Sequence, residues 1–533
     1  MQQQRVQDAM TFMFGLEPIV FWGWLFFLLY MGLMLSFGFV GMGRVHSSDD
    51  FATARAGYGP VFLALAMTAT AASGATFLGL PALAYSVGIS SLGQLLYPFG
   101  VYIGVWMSMV AIRRGGEAFG SRTIPEYLGD RYQSESLRLL AAVFSMLLLF
   151  YLAGQLLSGA VMFYNLLGLE TFPALVITAV MLMVYVSMGG AHSDILSDGV
   201  QGALMLVLAV LVLYLFLTGF GVEEGGLDAV FGRLEALDPQ LVKPLHEAHP
   251  LFNSYWDFFA IFVAHLPLGL LPHIGNKLWA LKSDSDQTKF ITLSFAFGLL
   301  LPVIICGGLL ARAVLGDALL ADGSHPNNAI PALFIAILPA WLAALIGAGV
   351  LAAVMSTADG LVVSSAQIFA NDIFRRTIAP IKLPTASPQE LDRISLKISR
   401  VATILILMAA TGIAWWTRDM NIALLVWIGV GGFMAAIAGQ IFLGIFWRGA
   451  TRIGALTGFL VGVGTFSVFK AGLIEAAWFH STPAIYAVWL QSQSINPYAC
   501  TTLALACGVI AMTLVSLFTE RLDDGHLKRV FGD

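Results

Sequence analysis

TATAASGATFLGLP, residues 68–81, is the stretch on which the fold turns. It sits inside an apolar run from 58 to 88, yet it places Gly74 among Thr68, Thr70, Ser73 and Thr76 and stops at Pro81. Such a composition at mid-membrane suits an unwound helix, whose freed backbone groups must be satisfied by protein, water or an ion. Tight packing of a neighbour accounts for small residues equally well. A second stretch repeats the pattern. HLPLGLLPHIGNK, residues 265–277, sets Pro267, Gly269, Pro272 and Gly275 in another apolar run, and together they disfavour a continuous helix.

The chain around these interruptions is built for a bilayer. Its 533 residues are 58% hydrophobic and 11% charged, whereas about a quarter of the residues of a soluble domain are charged. A span needs about 20 apolar residues. Thirteen segments qualify: 18–43, 58–88, 91–112, 137–167, 172–189, 191–219, 254–281, 288–315, 340–373, 395–416, 421–447, 453–473 and 497–520. The interruptions fall in the second and seventh, five apart. Discontinuous helices in corresponding positions point to a transporter made of two inverted repeats with its site at the midplane. The expected architecture is therefore an all-α polytopic membrane protein of about 13 transmembrane helices in an inverted-repeat (5+5) broken-helix fold. A leading helix occupies 1–57, the first repeat 58–219, an outer loop 220–253, the second repeat 254–447, and two trailing helices with a tail 448–533.

Charge placement orients it. The 113–136 connection holds Arg113, Arg114, Arg122 and Arg131, and the connection after the ninth span holds Arg375, Arg376, Lys382 and Arg393. Both are expected in the cytoplasm by the positive-inside rule. The 220–253 connection carries six acids against Arg233 and Lys243, and the 474–496 connection has no Lys or Arg. Thirteen alternating spans then put the N-terminus outside and the C-terminus inside, in the cell (cytoplasmic, inner) membrane. Cys306, Cys500 and Cys507 lie in apolar spans without a metal-ligand spacing and read as packing residues. MQQQRVQDAM lacks the build of a secretory leader, so the first span is expected to be retained.

Several polar side chains stand out. In AALIGAGVLAAVMSTADGLVVSSAQIFANDIF, residues 343–374, Ala353, Ser356, Thr357, Gly360 and Ser364 share one helix face. With the Ala353 carbonyl, the two adjacent hydroxyls offer uncharged oxygens to a hard cation such as Na+, although close packing again explains the stripe. Gln94 and Tyr97 belong to the third span, and Tyr151, Gln155 and Ser158 line one side of the fourth. Asp198 lies one turn deeper than Asp194, which is placed as a solvated acid at a helix start, and an ionisable group at depth is a functional candidate. His265 and His273 are either proton carriers or hydrogen-bonded wall residues. Gln440 is polar within the glycine-rich eleventh span, residues 329–339 are too short to cross, and Pro125 with its charged neighbours suggests an interfacial helix over 121–132.

With these residues assembled, the chain resembles the sodium:solute symporter family, which includes proline, sugar, pantothenate and sialic acid transporters. The resemblance rests on SGATFLGLPALAYSVG at 73–88, TIPEYLGDRY at 123–132, GG with SDGVQ at 189–201, and AAVMSTADG through NDIF at 352–374. PHIGNKLWA at 272–280 and GIFWRGATRIGALTG at 444–458 extend it over spans two to twelve. It implies Na+ as the coupling ion, held by the carbonyls of Ala69, Ala72 and Ala353 and the hydroxyls of Ser356 and Thr357. A second sodium site of some members would use Asp198, but two of its serine positions are Asp359 and Gly360 here, which puts a second ion in question. Positions that contact proline in proline transporters match Ala75, Ala264 and Leu268, and an aspartate near the ion site matches Ala71, so proline is disfavoured. Ser73 and Thr76 match positions that hold a carboxylate in sialic acid members.

The expected function is sodium-coupled import of a small organic solute, a carboxylate by preference, by alternating access. Solute contacts are expected from Ser73, Thr76, Gln94, Tyr151, Gln155, His265 and Gln440. The partners are the solute, the sodium ion and the lipid bilayer, with no nucleic acid. A membrane sensor acting through a separate partner is the alternative. An enzyme is disfavoured, because HExxH, GxSxG and paired His/Cys spacings are missing from the sequence.

Overall fold

A computed structural model describes residues 17–475, 477 and 484–532. The leading MQQQRVQDAM and part of the 474–496 connection fall outside them. Among the described residues the chain is helical, with one isolated bridge between Tyr58 and Leu281. Each of the thirteen expected segments has a helical counterpart. Among the described residues ten helices are by themselves long and apolar enough to cross a membrane, or eleven with one bent pair counted as a span. Pro60–Ala71 and Thr171–Val184 are shorter, because the second span breaks and the fifth ends near a kink.

The second span starts at Pro60, where a missing N–H costs nothing, and its first helix ends at Ala71. Ala72 leaves the helical conformation (φ −96°, ψ 96°), and the chain resumes as Ala75–Gly79 and Leu80–Val87. In the seventh span Tyr255–His265 gives way to a tight turn over Leu268–Leu270. Leu271 is extended (φ −59°, ψ 146°), and Pro272–Gly275 departs at an angle of 54°. Gly190 divides Thr171–Leu217 with φ +50°, a conformation that L side chains rarely adopt. A Cβ there would also lie 2.6 Å from the Phe51 carbonyl oxygen.

Between the two breaks runs the ninth helix, Ala340–Gln367, continued by the wider turns of Ile368–Ile378. Every residue from 350 to 368 is buried. It packs on the first, fourth and sixth spans. The outer rim of the bundle is apolar and exposed, as Leu28, Trp106, Val207 and Met408 illustrate, which is the surface lipid requires. Residues 326–337 form a short helix, and Ile124–Tyr132 forms another whose N-terminus is capped reciprocally. The Thr123 hydroxyl accepts the Glu126 N–H, and the Glu126 carboxylate accepts the Arg122 N–H. Cys306 and Cys500 are buried and Cys507 is exposed, all without disulfides.

Candidate functional site

The first break frees the carbonyls that the ninth helix then meets. Ala72 N–H closes the last rung of the helical ladder, onto Thr68, so the carbonyls that follow Thr68 need other partners. Ser356 Oγ lies 3.0 Å from the Ala69 carbonyl and 2.9 Å from that of Ala353. Thr357 Oγ1 lies 2.9 Å from the Thr70 carbonyl. Four residues singled out from sequence, Ala69, Ala353, Ser356 and Thr357, thus meet at one junction, and Ala72 lies at the point of unwinding. The junction is buried and rich in uncharged oxygen, the donor type preferred by small hard cations.

A charged cluster lies one residue away. Asp194, expected in solvent, is instead buried and ion-paired with Lys277. The Lys277 ammonium also lies 2.8 Å from Asp198 Oδ2, which in addition accepts the Thr70 hydroxyl. Asp359 is fully buried, with Ser197 Oγ 3.4 Å from its carboxylate. The correction at Asp194 has a physical cause. The kink at Gly190 turns the start of the sixth helix toward the bundle core, and the arm of the seventh span beyond its bend delivers an ammonium to it. Lys277 was missed because its position at the end of a Pro/Gly-broken run gives no sign of which carboxylate it faces.

A separate cavity beside the break is lined by Ser73, Thr76, Gln94, Tyr151 and His265, and by Tyr97, Trp427 and Tyr498. Gln94 donates to the Tyr498 hydroxyl at 2.9 Å, and Thr76 Oγ1 is 3.4 Å from that of Tyr97. His265 Nδ1 is 2.6 Å from the Ile261 carbonyl, which can only accept, so this nitrogen carries the proton and Nε2 remains the free position. Its ring packs 4.7 Å from Trp427 and stacks on Tyr498. Two expected contacts are not in the cavity wall. Gln155 turns its amide oxygen to the Gly74 N–H at 2.8 Å, satisfying the backbone of the break. Gln440 donates to the Ala455 carbonyl at 2.9 Å. Thirteen residues beyond Trp427 on a helix, it stands about 20 Å further along the bundle. Tyr498 escaped sequence reading because the thirteenth span lies beyond the motifs.

The model of the sodium:solute symporter family matches residues 51–462. The chain belongs to the sodium:solute symporter family. Among similar relatives, the sodium/pantothenate symporter of Escherichia coli (strain K12) is 28% identical over 431 residues, covering 79% of this chain and 84% of its own. A high-affinity proline transporter of Bacillus subtilis (strain 168) is 26% identical over 456 residues, covering 83% and 91%. A solved Na+-coupled sialic acid symporter in a substrate-bound outward-open state shares the fold, with a TM-score of 0.74 at 19% identity, covering 94% of this chain and 99% of that one. As a family member the protein is a multi-pass membrane transporter that couples to Na+, and the family is one of transporters rather than enzymes.

Proposed function

We propose that this symporter carries a small organic carboxylate into the cell together with Na+, across the inner membrane, with its N-terminus outside and its C-terminus in the cytoplasm. The observation that carries the reading is the junction of Ser356 and Thr357 with the unwound second span. Na+ entering there is held by the carbonyls of Ala69, Ala72 and Ala353 and the two hydroxyls, without a fixed anion among them. It ties the broken arm of the first repeat, 58–219, to the ninth helix of the second, 254–447. An ion that binds one arrangement of these repeats better than the other shifts the population toward it, and that differential affinity couples the two fluxes.

The carboxylate reading is supported by the cavity. Ser73 and Thr76 present hydroxyls at the break, and no Lys or Arg lines the wall, so the solute's charge is balanced by Na+ and by backbone dipoles. Tyr97, His265, Trp427 and Tyr498 form an aromatic side suited to an apolar body. The named solutes of the relatives, pantothenate, proline and sialic acid, all bear a carboxylate. Ala75 and Leu268 in the wall leave room for a different body from that of proline. Proteoliposomes carrying the protein should take up a labelled carboxylate only with an inward Na+ gradient, and its methyl ester or amide should not compete. Full competition by the neutral analogues would defeat the carboxylate assignment and turn attention to Gln94. Uptake that ignores the Na+ gradient would defeat the coupling.

A further inference from the structure

The ion site and the arginine-rich end of the bundle are separated by the charged cluster and a small polar cavity. Asp194 and Asp198 are one helical turn apart, both buried, and Lys277 bridges them. The bridge is held from two sides. Thr70 gives its carbonyl to Thr357 and its hydroxyl to Asp198, so the ion site and the bridge share a residue. On the other side, the inner arm of the seventh span is zipped to the start of the second. Trp279 and Ala280 accept the N–H groups of Ala56 and Tyr58 at 3.0 Å, and the Tyr58 carbonyl accepts from Lys282 at 2.9 Å.

Beneath the bridge lies a cavity of about 10 Å³ bordered by Thr53, Ala191, Asp194, His273, Asn276 and Gly360, at the limit for a single water. Its walls are polar and unspent. Both nitrogens of His273, both amide atoms of Asn276 and Oδ1 of Asp194 have no hydrogen-bond partner among the described residues, and all three side chains are more than nine-tenths buried. Gly360 keeps the space open, since a Cβ there would meet His273 and Thr70 at 3.3 Å and Asp194 Oδ1 at 3.4 Å. Buried polar groups left without partners cost free energy, so the arrangement suits a passage that fills with water in another state.

We propose that Lys277 is a tethered cation that bars the cytoplasmic exit of the ion path by bridging Asp194 and Asp198. The exit opens when the inner arm of the seventh span carries the ammonium away. Two buried carboxylates stripped of their partner are strongly unfavourable. The departing Na+, released one residue away at Thr357, supplies the replacement charge, so ammonium and Na+ exchange places on the carboxylates as the ion leaves. This role in release rests on the sodium site proposed above, while the bar itself is a property of the apo protein.

The test is accessibility from the cytoplasmic face. In a background with Cys306, Cys500 and Cys507 replaced by Ala, Ala191→Cys places one thiol in the cavity wall. Inverted membrane vesicles are then treated with a charged, membrane-impermeant methanethiosulfonate, without solute and without Na+. Lys277→Met should raise the labelling rate at least tenfold, and Lys277→Arg, which keeps the bridging charge, should label as slowly as the parent. If Lys277→Met fails to fold, the triple variant Asp194→Asn/Asp198→Asn/Lys277→Met, which leaves none of these three charges, should show the same acceleration. Rates within twofold of the parent in the folded variant overturn the proposal. Because this readout needs no ion, it fails independently of the sodium-site assignment, which Ser356→Ala tests through Na+ activation.

Discussion

Ser356 and Thr357 are neighbours in sequence, yet their hydroxyls reach two different carbonyls of the second span, those of Ala69 and Thr70. Removing one charge-assisted oxygen contact costs about 1–3 kcal/mol, and Ala is well tolerated within a helix. Ser356→Ala and Thr357→Ala should therefore each raise the Na+ concentration for half-maximal uptake by about 5- to 150-fold while the protein still purifies as a folded species. An unchanged Na+ dependence in both would remove these residues from the site. Thr76→Val, nearly isosteric, should instead weaken half-saturation by solute more than by Na+, and the reverse ranking would place Thr76 outside the solute cavity. Asp130, in the connection before the fourth span, offers a test by pH. Burial lifts its carboxyl to about 6, against the pull of the Ser121 hydroxyl and Arg376, from an ordinary value of about 3.9. The folded form then binds the proton more tightly than the unfolded one, so this group's contribution to stability is lost as pH rises from about 4 to about 6. Thermal unfolding in detergent should show a smaller loss over that window in Asp130→Asn than in the parent. At this scale the sequence was informative where chemistry repeats on one helix face, as with Ala353, Ser356 and Thr357. It was silent on Lys277, whose partners are decided by a bend.

Both helix breaks were readable from Gly and Pro placement, because those residues act on their own backbone. What each break leans on was not. Gln155 was recognised as polar and inward-facing, but helical spacing gives only a direction, and the object it meets, the Gly74 N–H, belongs to another span. Gln440 illustrates the same gap, being inward-facing at the wrong height. Gln155→Leu should leave a buried N–H unpaired at a cost of about 1–3 kcal/mol. A lowered thermal midpoint together with impaired transport is expected, whereas Gln155→Glu, which retains an acceptor oxygen, should lose less stability; equal losses would show that the acceptor is immaterial. The second break depends on close approach. A Cβ on Gly104 would fall 1.8 Å from the Leu266 carbonyl oxygen, so Gly104→Ala should destabilise by about 1–3 kcal/mol through overpacking. Wild-type stability in that variant would show that the third span can move aside freely.

For the whole molecule, the two arginine-rich connections are joined at one end of the bundle. Arg376 pairs with Asp130 at 2.8 Å, and the Thr123 hydroxyl donates to Asp372 at 2.7 Å. With these positive charges grouped on one face, a single side of the membrane receives both. A green fluorescent protein fused after Asp533 should fluoresce and an alkaline phosphatase at the same place should be inactive; active phosphatase would invert the proposed orientation. The bond from Gly74 to Gln155 also bears on how the chain is made. Its partners are 81 residues apart, so the ribosome completes the second span well before the fourth exists. During that interval the Gly74 N–H has no protein acceptor from span four, and hydrocarbon offers none. The nascent second span therefore either satisfies that N–H within a continuous helix or stays in a hydrated or proteinaceous setting, and it takes its broken form only as the fourth span arrives to receive it.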